Sequence, residues 1–205
     1  MLVLGIDPGT ATTGYGLVTS DVPGAPRRQT AAVPLRLVEC GVIRTRPRDP
    51  LHTRLLEVSN GVRELIARHR PDLLAVEDVF YSRNVQTTLA LGHARGVILL
   101  AAAEAGVPIA EFPPAEIKKT VVGSGTASKE QVQYMLTQLL HLRASPQPSD
   151  ASDGVAAAVT ALLTSHLRRL RSDAEVPPPA PKKAVAGVPT RVIEFPTRDT
   201  PRRPR

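Results

Sequence analysis

Two apolar runs, LVLGI at 2–6 and LLAV at 73–76, each lead directly into a carboxylate, Asp7 after the first and Glu77 after the second. Runs of this kind, continuous rather than alternating and bounded by turn or charged residues, are the pattern of strands covered on both faces of a sheet. An acid at the carboxyl end of such a strand emerges from the core, where it can hold a cation. A further pair, Asp150 and Asp153, stands three residues apart at the start of the Ala/Val-rich stretch SDASDGVAAAVTAL. Ser149 is the expected N-cap of a helix there, and residues three apart on a helix share a face. Four converging carboxylates would repel one another and shift each other's titration unless hard cations neutralised them. Mg²⁺ accepts oxygen ligands of this type, and two such ions about 3.5–4 Å apart stabilise both the attacking and the leaving oxygen of an in-line phosphoryl displacement. The pattern points to a divalent-metal nuclease.

The charge balance agrees with a polyanionic partner. The chain of 205 residues is long enough for one compact domain and an appendage, and its formal net charge of +7 favours nucleic acid over a neutral or acidic small molecule. The excess is uneven: residues 171–205 hold 8 Lys and Arg against 4 acids, and 8 of the 20 prolines. That composition sets 1–170 apart as the folded domain and 171–205 as a basic, Pro-rich tail without fixed structure. With no Trp and only 3% aromatic residues, the core must come from Leu, Val, Ile and Ala. Cys40 is the single cysteine, which excludes an intramolecular disulfide and any Cys-based metal cluster. The N-terminus lacks a basic leader, and the longest apolar stretch, VILLAAAEAGV, is interrupted by Glu104 and too short to span a bilayer. A cytoplasmic protein with no membrane contact is expected.

Along the chain, LVLGI, GYGLVTS and RLVECGVIR read as strands, the second and third joined by a Pro- and Gly-containing extension over 20–35. Helical spacing of Leu51, Leu55, Leu56, Val58, Val62, Leu65 and Ile66 ends at Pro71. LLAVE, a helix from Val85 to Glu104, the strand PIAEF, two short helices and a last helix from Asp150 to Leu170 follow. Strands first and then alternation predict an α/β fold, a mixed five-stranded sheet with helices on both faces.

Five segments, GIDPGTATTGYG, AVEDVFYSRN, LGHARGV, TVVGSGTASKEQVQ and DASDGVAAAVT, resemble in order and spacing the RuvC family of Holliday-junction resolvases, over about residues 1–170. The resemblance implies a ribonuclease-H-like fold, a homodimer, two Mg²⁺ or Mn²⁺ ions per site, and paired nicks across four-way junction DNA. It also implies cooperation with the RuvA and RuvB branch-migration proteins. Asp7, Glu77, Asp150 and Asp153 fall on the family's metal-binding acids. Phe80 falls on its base-stacking aromatic and Lys118 and Lys129 on its DNA-contacting basic positions; Arg83 is a further DNA-contact candidate, and Arg95 could either contact DNA or support the site. Stacking on an aromatic ring offsets about 1–3 kcal/mol per unstacked base. The long 20–35 extension, the basic tail and the acid pair Glu77-Asp78 depart from the family pattern. Asp78 could be a spare ligand, a supporting group or an exposed charge, and strand alternation, which turns it away from Glu77, favours the last.

Taken singly, each feature has a plainer explanation. Asp7 before Pro-Gly is a common turn former, Asp150 and Asp153 suit a helix dipole, and the lysines suit a solvated surface; only their conjunction carries the site. Gly123 and Gly125 lack P-loop spacing, and the five histidines form no ligand pattern. An ATP-dependent sugar- or acetate-kinase-like fold would need a duplicated domain for which 205 residues leave no room. A non-cutting junction binder would keep four repelling acids without use, and a ribonuclease H is the nearest alternative chemistry.

Overall fold

The computed structural model describes residues 1–21, 33–78 and 85–172, with side chains up to residue 166. The extension's central residues 22–32, the expected DNA contacts Phe80 and Arg83, and the tail from 173 lie outside the described residues.

Five strands, β1 (Leu2–Asp7), β2 (Thr12–Thr19), β3 (Arg36–Arg44), β4 (Leu73–Glu77) and β5 (Ile109–Phe112), form one sheet in the order β3-β2-β1-β4-β5. The β1–β2 and β2–β3 pairs are antiparallel, and β1–β4 and β4–β5 are parallel. The carboxyl ends of β1, β3, β4 and β5 therefore share one rim. Asp7 and Glu77 close their strands on that rim.

Strand alternation divides the core in two. Leu4, Ile6, Leu17, Leu74 and Val76 face α1 (Leu51–His69) and α2 (Val85–Glu104), packing against Val58, Val62, Leu65 and Ile98. Val3, Val18 and Ala75 face α5 (Ser149–Ser172), with α3 (Pro114–Val122) and α4 (Lys129–Leu139) completing that layer through Ile117, Val121, Val132 and Leu136. Helix ends follow local chemistry. Arg70 takes a left-handed conformation (φ 48°) at the end of α1 ahead of Pro71, and Gly123 does the same (φ 90°) after α3. Helix α4 opens on a capping box that the SKEQ segment spells out: Gln131 N donates to Ser128 Oγ, and Ser128 N donates to Gln131 Oε1.

Several boundaries differ from expectation. β2 starts two residues earlier than GYGLVTS because Thr12 and Thr13 pair with Arg44 and Ile43. Ser149 is the first residue of α5 rather than its cap, and the Ala151 amide donates to Pro148 O. Helix α2, taken whole, is long and apolar enough to cross a membrane by length and composition, which the VILLAAAEAGV stretch alone did not suggest. One face of it is occupied by the sheet and α1, through Ala94, Ile98, Ala101 and Ala102.

The sheet and α5 meet where neither carries bulk. A Cβ on Gly5 would fall within 3 Å of Gly154 O and Ala158 N, and one on Gly14 would overlap the backbone of Asp150. These atoms are backbone and cannot swing aside. Gly5→Ala is expected to destabilise the protein by about 3 kcal/mol, the upper part of the range for overpacking, read as a lowered midpoint in urea denaturation.

Candidate active site

The close contact between α5 and β1–β2 sets Asp153 over the rim. Asp7, Glu77 and Asp153 line one pocket of about 240 Å³ together with Lys118, Lys129, Pro114, Ile117, Val132 and Ala156. Asp7 and Glu77 come from neighbouring parallel strands, Asp153 from the first turns of α5, Lys118 from α3 and Lys129 from the first turn of α4. Three acids, two lysines and four apolar residues thus line it.

The carboxylates are short of positive charge. Asp7 is pushed up to about 8, first by burial and then by the charges of Glu77, Asp153 and Asp150, with Lys129 opposing. Glu77 is pushed up to about 7, again by burial first and Asp153 second. Asp153 is raised by burial although Lys129 Nζ donates to its Oδ2 at 2.6 Å. That pair is partly solvated, with side-chain exposures of 47% for Lys129 and 26% for Asp153. The Lys129 ammonium is raised by its bond to Asp153 and by the charges of Asp153, Asp150 and Asp7, against desolvation, its largest single influence.

Asp150 stands apart from the other three. It does not line the pocket, although its charge is felt by Asp7, Lys129 and Asp153. Among the described residues, no three Asp, Glu, His or Cys side chains form a finished cation cage. The donor set nevertheless fits a hard divalent cation in kind: it is all oxygen, partly buried, and deficient in the charge such a cation brings. Lys129, seated on Asp153, supplies part of that charge.

Arg95 lies elsewhere than the expected DNA contact. On α2, it pairs with Glu111 of β5 and, at 3.3 Å, with Asp78. Glu111 is registered with Val76, so this cluster is on the α2 face of the sheet, opposite Glu77. Asp78 does turn away from Glu77 as alternation requires, and its side chain is 48% exposed, but it joins an ion cluster. Lys119 is exposed. The apolar pocket walls Pro114, Ile117, Val132 and Ala156 escaped the sequence reading, since nothing local distinguishes them from core. Sequence reading also missed a cluster around Glu39, whose carboxylate accepts from Tyr15 Oη at 2.9 Å and Arg68 Nη2 at 2.7 Å and lies 2.9 Å from His69 Nε2. It ties β3 to the end of α1.

Residues 3–161 match the family model described as crossover junction endodeoxyribonuclease RuvC. The chain belongs to the RuvC family. It is 49% identical over 159 residues to the crossover junction endodeoxyribonuclease RuvC of Moorella thermoacetica, covering 78% of this chain and 89% of that protein. The Pelotomaculum thermopropionicum RuvC is 45% identical over 159 residues, covering 78% and 91%. Among solved structures, Thermus thermophilus RuvC in complex with Holliday junction substrate superposes with a TM-score of 0.73 at 35% identity, over 82% of this chain and 96% of that one. The yeast mitochondrial Holliday junction resolvase, at 14% identity and a TM-score of 0.60, shares the fold, over 83% of this chain and 82% of its own. The mixed sheet with helices on both faces is thus the fold of the resolvases.

The raised carboxyls give stability a definite pH dependence. A carboxyl whose folded value lies near 8, against 3.8 when free, holds a proton in the folded state that the unfolded chain has lost, so folding weakens as pH rises through that window. In EDTA, melting is expected to fall between pH 5.5 and 8.5 by on the order of 2 kcal/mol, about 4–8 °C. Mg²⁺ at pH 8.5 should restore it, and Asp7→Asn should raise the melting point in EDTA at pH 8.5 and flatten the profile. Differential scanning calorimetry reads all three; a melting point that rises with pH in EDTA would contradict the charge deficit.

Proposed function

We propose that this chain is a homodimeric, divalent-metal-dependent endodeoxyribonuclease that resolves Holliday junctions by paired symmetric nicks. The observation that carries the reading is the pocket itself: three carboxylates from two strands and a helix, facing two lysines, in a chain of the RuvC family. A relative of the same fold is known in complex with Holliday junction substrate.

Asp7, Glu77 and Asp153, with Asp150 beside them, would hold Mg²⁺ or Mn²⁺. When bound, divalent cations supply the charge these acids lack and the Lewis acidity that phosphodiester hydrolysis needs. The chain's own residues do the remaining work. Lys118, lining the pocket, attracts and orients the scissile phosphate and balances charge as the pentacovalent arrangement forms. Lys129, released from Asp153 when the carboxylates are neutralised, can turn to the same phosphate. Ile117 and Val132 limit water around the reacting atoms. Hydrolysis leaves a 5′ phosphate and a 3′ hydroxyl.

Symmetric incision requires two such sites related by a two-fold axis. Helix α2 offers a face for that axis. Val85, Leu89 and Leu100 are exposed at 70%, 58% and 52%, and they fall on one stripe with Gly92 and Gly96, where an added Cβ would meet nothing within 4 Å. The same reading expects cooperation with RuvA and RuvB and a cytoplasmic location.

Cleavage of a synthetic four-way junction, beside matched duplex and an RNA–DNA hybrid, tests the activity. Paired nicks are expected with Mg²⁺ or Mn²⁺, none in EDTA, and a loss of at least about a hundredfold in Asp7→Asn, the scale of one electrostatic catalytic group. Preferential cutting of the hybrid would instead indicate a ribonuclease H. Leu89→Glu combined with Leu100→Glu should sediment as a monomer and lose coupling between the two nicks.

A further inference from the structure

On the assumption that the site cuts junction DNA, we propose that Arg44, Arg46 and Arg48 form a second phosphate-binding rim. This rim would hold the substrate backbone on the β3 side of the carboxylates.

The sheet register places this rim. Asp7 is paired with Gly14, Gly14 with Val42, and Arg44 lies two residues beyond Val42 with Thr12 as its partner. Paired residues share a face of the sheet and alternate residues return to it, so Arg44 projects on the α5 face, the face of Asp7 and Glu77. Strand β3 runs in the same direction as β1, so its carboxyl end lies at the rim that carries the carboxylates. Two inter-strand spacings and two residues of rise put the Arg44 backbone about 12 Å from that of Asp7. A phosphate backbone covers that distance within a few nucleotides of the scissile position. Asp150 sits between the two, its backbone against Gly14.

The segment that follows continues the charge. Arg44, Arg46 and Arg48 are all exposed, and none has an ion pair among the described residues. Asp49 is the only acid from 44 to 54, against four arginines. Of the other exposed arginines, Arg63 and Arg68 are each held by a carboxylate, whereas Arg36, Arg70 and Arg143 also have no ion pair among the described residues.

The segment is also held firmly to the site. Thr45, buried between Arg44 and Arg46, donates from its backbone N to Ala11 O at 3.0 Å and from Oγ1 to Thr10 O at 2.5 Å, and it accepts from Arg54 Nε at 3.1 Å. Thr10 and Ala11 belong to the turn that directly follows Asp7. Arg44 on the face of Asp7, followed by Arg46 and Arg48 on a segment fixed to the turn after that acid and without ion pairs among the described residues, is an arrangement suited to a phosphate backbone that crosses the pocket. Guanidinium groups suit phosphate by their forked donors.

Junction binding measured in EDTA across a KCl series tests the proposal, comparing wild type with the triple variant Arg44→Gln/Arg46→Gln/Arg48→Gln. Arg36→Gln, exposed at the other end of β3, serves as a charge control. The slope of log affinity against log salt is expected to become shallower by about 0.9 for each phosphate contact removed, and affinity at 100 mM KCl (about 0.1 M) to fall by about tenfold or more. The rate at saturating protein in Mg²⁺ should change less than about twofold, because these residues do not touch the reacting atoms. Ethylation interference should fade at phosphates a few nucleotides to one side of the cut and persist near it. An unchanged slope, or an equal change in Arg36→Gln, overturns the rim while leaving the resolvase reading intact. A wild type that leaves the junction uncut overturns that reading, and the slope comparison still decides whether these arginines bind DNA.

Discussion

The close approach of α5 to β1 and β2 is the contact on which the rest depends. Gly5, Gly14 and Gly16 remove side chains from the sheet where Gly154 removes one from the helix, so backbone packs against backbone. That distance brings the first turns of α5, with Asp150 and Asp153, beside the ends of β1 and β4. A single methyl group at Gly5 or Gly14 would lift the helix and move Asp153 away from Asp7 and Glu77. Here the core's packing and the site's geometry are the same contact.

That convergence has an electrostatic cost. Burial and mutual repulsion push Asp7 to about 8 and Glu77 to about 7, so the fold holds acids in a place that disfavours their charge. Lys129 offsets part of this through Asp153. The capping box at Ser128 and Gln131 fixes the start of α4 and thereby the position of that lysine. A small helix-capping device, worth about 1 kcal/mol in general, thus places a charge in the pocket.

The two faces of the sheet divide the labour. On the α5 face lie the carboxylates, the lysines and, across β2, Arg44. On the other face the charges balance one another: Arg95 with Asp78 and Glu111, and Glu39 with Tyr15, Arg68 and His69. Those clusters bind strands to helices, and Arg95, paired with two acids, belongs with them.

The five strands and five helices among the described residues, and the positions of the acids at strand ends and at the start of α5, were legible in the sequence because they depend on local rules. Continuous apolar runs reveal buried strands, a spacing of three to four residues reveals helices, and an acid at a strand's end needs no tertiary information to be noticed. Alternation even placed Asp78 opposite Glu77. Only the tertiary structure decided that Asp150 stays off the pocket, that Arg95 faces away from it, that Lys129 sits on Asp153, and that Arg44 shares a face with Asp7. These outcomes rest on strand register and on the distance between α5 and the sheet, contacts between residues far apart in the chain, to which local periodicity is blind.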